Sequence, residues 1–349
     1  MKELRWRKIT LWAFSLALFA FVWSLIPWAE LQKVVQILSF KSLAALFVLD
    51  LVIVLTMSGR WWFILRGLGY SVNYFKLSGY RLAAFGVSYF TPGPQFGGEP
   101  LQVWVLTNKH QIPTSTALAS VTVDKLLELF INFAVLALGV IVVLQTAIVP
   151  IDSAGWLLAA ALLLGLAPVF LLWTLAQGMT PLTNAFRWLH SRPMLQTLAE
   201  RFEDRISQLD QAILDSEVEV TRLYRQSPKA ILLAFLISGV TWLLWLLEFW
   251  LMYRLLGAAL SLTELFIVLT AVRIAFLLPL PAGLGTLEAS QYVAMTAIGQ
   301  ATAIGLSGTV FIRVRDFLIA GFGLWLSSRL VSRFVSRESK TDLPNTKVT

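Results

Sequence analysis

The chain contains no cysteine and only two histidines, His110 and His190. Disulfides, thiol nucleophiles and the usual zinc or iron ligand clusters therefore have no residues to build them. Charge is scarce too. Asp, Glu, Lys and Arg make up 14% of the 349 residues, against 57% hydrophobic residues and a mean hydropathy of +0.73. That composition excludes a soluble protein and describes a polytopic helical membrane protein. The net charge of +8 does not imply a nucleic-acid partner, because most Lys and Arg stand in short connections beside apolar segments, where orientation in a membrane accounts for them. No Gly-x-x-x-x-Gly-Lys-Ser/Thr loop occurs, so no ATP-binding site of that kind is available. No cofactor and no metal are expected.

What the chain does have is apolar length. Ile9 to Trp28 is preceded by Lys2, Arg5, Arg7 and Lys8 and is followed by no small-x-small cleavage site. Its roughly 20 residues can cross about 30 Å of hydrocarbon, so it reads as a retained anchor with the N-terminus in the cytoplasm. Further full spans are expected near Ser42 to Ser58, Leu127 to Val149, Trp156 to Ala176, Ala230 to Leu256 and Gly305 to Leu326. Arg60, Arg66, Lys76 and Arg81 follow the second span and are assigned to the cytoplasmic side. Trp61 and Trp62 beside Arg60 read as interfacial belt residues. The stretch 177–229 carries seven Lys/Arg and seven Asp/Glu, with Leu195, Leu198, Phe202, Ile206, Leu209 and Ile213 at helical steps. It is expected to be an amphipathic helix on the cytoplasmic face. A polar tail, 336–349, ends the chain.

Two Gly/Pro-broken stretches, 92–100 (Pro-Gly-Pro-Gln-Phe-Gly-Gly-Glu-Pro) and 279–288 (Pro-Leu-Pro-Ala-Gly-Leu-Gly-Thr-Leu-Glu), stand at matching places in the two halves. Backbone that is neither helix nor barrel leaves N–H and C=O groups unpaired, so at membrane depth it must line protein or a wet cavity. Loop charge puts both ends of Leu82 to Thr107 inside, making the first break a re-entrant hairpin, with Leu82 to Thr91 only about 15 Å long as helix. The second break, entered through Leu265 to Leu280, comes from the opposite side. Charged clusters follow both breaks, Asp124, Lys125 and Glu128 in one helix and Arg313, Arg315 and Asp316 in the other. Opposite entry plus internal likeness is the pattern of an inverted repeat, 74–149 against 261–328, with its binding site where the halves meet.

The motif Thr91-Pro92 followed by Gly97-Gly98-Glu99-Pro100-Leu101-Gln102, with acids at Asp124 and Glu128, resembles the first signature of the lysylphosphatidylglycerol synthase transmembrane-region family, the flippase-like domain proteins. Pro281-Ala-Gly283-Leu-Gly285-Thr-Leu-Glu288 is similar to that family's Pro-Gly-Gly-Leu-Gly-x-x-Glu, with Ala282 in place of one glycine. The resemblance covers about Trp6 to Ser336 and implies lipid translocation. The soluble synthase domain of the family's bifunctional members is not expected after the tail, so aminoacyl transfer is not expected either.

Physical chemistry assigns roles to these residues. Helices starting after Gly98 or Gly285 would present N–H groups and a positive dipole end to a phosphate, with Gly97, Gly98, Gly283 and Gly285 letting a headgroup approach. The alternative is that Glu99 and Glu288 satisfy those N–H groups. Arg273, Arg313 and Arg315 are the cations suited to a phosphate, and Asp124, Lys125, Glu128 and Asp316 the charges that would pair with them or carry protons. Glu99, Glu128 and Glu288 are the proton-carrier candidates. Asp50 reads as satisfied by a neighbouring helix, Arg254 as reaching for a headgroup, and Glu248 ranks below the rest.

The sequence thus predicts a single all-α multi-pass domain, 1–349, with about six full spans and two re-entrant hairpins. It lies in the cytoplasmic membrane with both termini inside and, without enzymatic chemistry, moves a lipid with a phosphate-containing or otherwise charged headgroup. The other reading is an accessory protein that binds a lipid-linked intermediate for a glycosyltransferase or lipid-modifying enzyme. A homodimer or a lipid-synthesis enzyme partner is left open.

Overall fold

The computed structural model describes residues 39–91, 97–146, 151–192, 203–278, 280 and 283–341. The expected anchor Ile9 to Trp28, the Pro92 to Phe96 part of the first break, Pro279, Pro281 and Ala282 of the second, and the end of the tail lie outside the described residues. Among the described residues the protein is helical throughout, with no strand.

The helices are α1 (Phe40–Gly67), α2 (Tyr74–Phe90), α3 (Glu99–His110), α4 (Thr114–Gln145), α5 (Ile151–Ala176), α6 (Pro181–His190), α7 (Glu203–Gln226), α8 (Pro228–Leu255), α9 (Leu262–Leu277), α10 (Thr286–Ala297) and α11 (Thr302–Thr341). Four of these regions are long and apolar enough to cross a membrane: α1, α4, Gly155–Ala176 of α5, and α8. The expected span Gly305 to Leu326 falls within α11, and the middle of that span carries Arg313, Arg315 and Asp316. Sheltering those charges is the work of the fold around them.

Local signals set the helix starts. Ser39 accepts from the Ser42 N–H, Asn73 accepts from the Lys76 N–H, and Ser261 with Glu264 forms a reciprocal capping box. The Asn73 cap starts α2 eight residues before the expected Leu82. The 17-residue helix is therefore about 25 Å long, close to α9 with its 16 residues. Pro113 starts α4 well ahead of the apolar run at Leu127, and this extension carries Asp124 and Lys125 into regular helix.

In lipid, apolar side chains gain little by leaving hydrocarbon for one another, so helices associate where small residues let backbones come close. Gly86 of α2 faces Gly323 of α11 so closely that a Cβ on Gly323 would sit 2.2 Å from the Leu82 carbonyl oxygen. On the other side Gly139 of α4 receives Thr270 of α9. The packing is therefore reciprocal: α2 lies on α11 and α9 lies on α4, while α1 and α8 pack against each other beside both units. The outward faces are apolar and exposed, with Phe47, Leu51, Leu163, Leu236, Leu243 and Phe317 among them.

The stretch 177–229 holds α6 and α7 rather than a single helix. Glu217 of α7 accepts the Leu182 and Thr183 N–H groups and the Thr183 hydroxyl, which caps the N-terminus of α6 and sets a negative charge at its positive dipole end. The expected stripe is not the packed face throughout, since Leu209 is exposed while Val220 and Leu223 are buried against α4 and α5. Leu195, Leu198 and Phe202 lie outside the described residues.

Candidate functional site

Helices α1, α2, α3, α4, α8, α9 and α11 line a cavity of about 190 Å³ whose walls carry eleven ionisable and five aromatic side chains. A single water needs roughly 10–15 Å³ by a comparable measure, so the space is wet or filled by ligand. Of the expected site residues, Gly98, Glu99, Asp124, Lys125, Glu128, Arg273, Arg315 and Asp316 line it. Gly97 stands one residue outside the lining, whereas Gly283, Gly285, Glu288 and Arg313 form a separate clasp.

On the α4 side, three cations meet three carboxylates. Arg60 reaches Asp124 at 2.7 Å and Glu128 at 2.6 Å, while Arg81 reaches the same two at 2.6 and 3.0 Å. Lys125 bridges Glu99 and Glu128, each at 3.1 Å. Asp124 and Glu128 therefore do not pair with Arg273, Arg313 or Arg315. Their partners are Arg60 and Arg81, which are buried at 6% and 9% relative exposure instead of standing in a cytoplasmic connection. Sequence reading missed both arginines because cations near the end of a span look like topology signals. Trp61 is likewise no belt residue: it is fully buried, and its indole N–H donates to Ser120.

At the broken stretches the glutamates take the capping role. Glu99 accepts the Gly97 N–H at 2.8 Å, and Glu288 accepts the Gly285 N–H at 2.8 Å. Gly98 donates its N–H to the Ser88 hydroxyl. These donors are occupied, so the helix starts do not present them to a headgroup. Each glutamate also binds a cation on the following long helix, Glu99 with Lys125 and Glu288 with Arg313 at 3.0 Å. Lys125 and Glu128 are the twelfth and fifteenth residues of α4, and Arg313 and Asp316 hold the same places in α11. Arg313 also donates to the Gly283 carbonyl at 2.7 Å, tying the second loop to its long helix. Gly285 sits at φ +79°, a conformation that a side chain disfavours.

Across the cavity the charge pattern changes. Arg315 binds Glu248, approaches Asp50 at 3.6 Å and meets Asp316 at 2.9 Å, so that three carboxylates surround one guanidinium. Beside this cluster Arg273 makes no ion pair among the described residues. Its guanidinium lies beside the rings of Trp242 and Trp245, 4.3 and 4.1 Å from their centroids, which are themselves 5.2 Å apart and set edge to face. Such ring contacts supply no hydrogen bond to the guanidinium N–H groups. The buried Nε–H accordingly has no hydrogen-bond partner in the structure. Nothing in the sequence marked Trp242 or Trp245 as a flanking pair, although their i, i+3 spacing on α8 puts them on one face.

A helical membrane protein with a charged chamber walled by two broken-helix units is the class these observations define. Within that class, the lysylphosphatidylglycerol synthase transmembrane region matches residues 10–323, and the chain belongs to that family. Two archaeal relatives are UPF0104 membrane proteins. That of Methanothermobacter thermautotrophicus is 23% identical over 79% of this chain and 82% of its own length. That of Methanocaldococcus jannaschii is 27% identical over 36% of this chain and 39% of its own length. No solved structure matches the chain.

Proposed function

We propose that this protein moves a lipid with an anionic, phosphate-containing headgroup across the cytoplasmic membrane, with both termini in the cytoplasm. The observation that carries the reading is Arg273: a guanidinium lining the cavity, set against two tryptophan rings, with a buried Nε–H that has no hydrogen-bond partner and with no carboxylate partner among the described residues. A cation kept unpaired at membrane depth is costly, and a phosphate would supply its missing bidentate partner. Units α2–α4 and α9–α11 are the two halves of an inverted repeat, entering from opposite faces, with the chamber at their junction. The headgroup occupies the chamber while the tails remain in hydrocarbon. The family match supports a membrane role connected with lipid. No covalent step is needed.

The accessory-protein reading would use α6 and α7 as a docking surface. These helices instead pack on the protein itself through Glu217, Val220 and Leu223. Purified protein in phosphatidylcholine vesicles, given nitrobenzoxadiazole-labelled phosphatidylglycerol, should make the label in the inner leaflet accessible to an outside quencher. Arg273→Ala should slow that movement on the order of tenfold or more, the cost of a lost charged hydrogen bond. A wild-type protein that leaves the leaflet distribution unchanged would end the transport reading.

A further inference from the structure

The charge count around the cavity is uneven, and its excess is local. Arg60, Arg81 and Lys125 match Asp124, Glu128 and Glu99 one for one. At the other wall Arg315 alone faces Asp50, Glu248 and Asp316. All three of these carboxyls are buried, Glu248 to 1% relative exposure. Asp50 and Glu248 both approach the same Nη1 atom of Arg315. Two carboxylates brought to one nitrogen in a buried site repel each other when both are ionised, and a proton on one of them relieves that repulsion. Arg273 lines the same cavity, rests against tryptophan and has no partner at its buried Nε–H. One wall of the chamber therefore needs an anion, and the adjoining wall holds surplus acid.

We propose that the Asp50–Glu248 carboxyl pair is a proton site, and that its loading is coupled to occupation of Arg273 by the anionic headgroup, making the protein a lipid–proton symporter. The inference rests on the headgroup reading of Arg273 and adds the source of energy. An anion arriving at Arg273 places negative charge beside carboxyls already in excess, in a cavity where charge is poorly screened. That favours the protonated form of the pair. By linkage a proton on the pair strengthens anion binding by the same factor. The groups that set this balance are Asp50 on α1, Glu248 on α8, Arg273 on α9, and Arg315 and Asp316 on α11. Arg60 on α1, Arg81 on α2 and the acids Asp124 and Glu128 on α4 cancel one another across the chamber. Glu99, Glu128 and Glu288 are each held by a cation, and a proton there would break an existing ion pair.

The test uses the full chain in phosphatidylcholine vesicles that contain labelled phosphatidylglycerol and a trapped pH-sensitive dye. Labelled lipid moving down its own gradient should drive protons the same way, and its rate should rise as the buffer is made more acidic. Asp50→Asn and Glu248→Gln should each cut the lipid-driven proton signal about fivefold or more and flatten the pH profile. Lipid movement in the wild type without any proton signal would overturn the symport proposal and leave the transport reading standing. That measurement needs no substitution, so poor folding of a variant cannot rescue the idea. Variants that fold and keep the wild-type pH profile would overturn it equally. Failure of the wild type to move the lipid at any pH would sink the transport reading itself.

Discussion

The α4 side of the chamber and the α11 side are built on one plan and tuned differently. Both place a loop glutamate on a glycine N–H and on a cation twelve residues into the following helix, Lys125 in one and Arg313 in the other. Around α4 every carboxylate is then matched by a cation. Around α11 the acids outnumber Arg315, and Arg273 is left to two tryptophans. A closed ion network resists change, because breaking any pair strands a charge in low dielectric. An open one has alternatives of similar energy. The difference sets a matched ion network on the α4 side against an unmatched one on the α11 side, although the two sides carry nearly the same residue types.

Breaking the matched network should cost the most. Asp124→Ala leaves Arg60 and Arg81 with only Glu128 between them, and about 3–5 kcal/mol of stability should be lost. Thermal unfolding of the detergent-purified protein would register this as a large fall in Tm. The corresponding change on the other wall, Asp316→Ala, should cost less, because Arg315 keeps Glu248 and Asp50. Equal losses would erase the contrast between the walls. Next in size is the crossing that holds the two units together. A Cβ at residue 323 would meet the Leu82 carbonyl at 2.2 Å, with backbone on both sides and no flexible side chain to yield. Gly323→Ala should therefore cost about 1–3 kcal/mol, read from the same unfolding curve.

On the unmatched side the expected pattern reverses: Arg273→Ala should change stability by about 1 kcal/mol or less, the scale of a cation–aromatic contact, while the lipid movement described above falls sharply. A large stability loss with intact transport would make Arg273 a packing residue. Arg273→Lys sharpens the point. Its ammonium keeps the charge but lacks the planar fork that lies against Trp242 and Trp245, so it should recover only part of the activity.

How far the sequence reveals this depends on the signal each feature leaves. Long apolar runs give α1, α5 and α8 directly, because only sustained apolarity at bilayer length produces them. The N-terminal halves of α4 and α2 are hidden by their polar residues, which are tolerated inside a membrane protein only because Arg60, Arg81 and Asp124 satisfy one another. Arg60 is the instructive failure. Read by position along the chain it marks a cytoplasmic end; read by helix face it joins Asp50, Ile53 and Met57 on the inward side of α1. The glycines and glutamates of the two broken stretches were legible as special backbone, while their partners, far apart in the chain, were not. Asp50 and Glu248 illustrate the same limit, since nothing local tells that two isolated acids in separate spans converge on one arginine.

The smallest effect is expected far from the chamber, where charge is solvated. Arg187 of α6 grips Asp210 of α7 with three hydrogen bonds of 2.8 to 3.1 Å, yet the pair stands at an exposed edge. The Arg187 hydrogen bonds, with its charge, hold the Asp210 carboxyl below the usual carboxylate range. A carboxylate favoured in the folded state contributes stability above its ordinary value near pH 4, and that contribution is lost as the pH falls through the lowered one. Arg187→Ala should therefore leave Tm unchanged at neutral pH within measurement, because water and salt screen an exposed pair that also restricts two mobile side chains. Any difference should be confined to low-salt buffer, be complete above pH 4 and fade as the pH falls through the lowered value. If Arg187→Ala instead destabilised the protein as much as Asp124→Ala, enclosure would not be what distinguishes the chamber's ion pairs, and the division between a buried network and a solvated surface would fail.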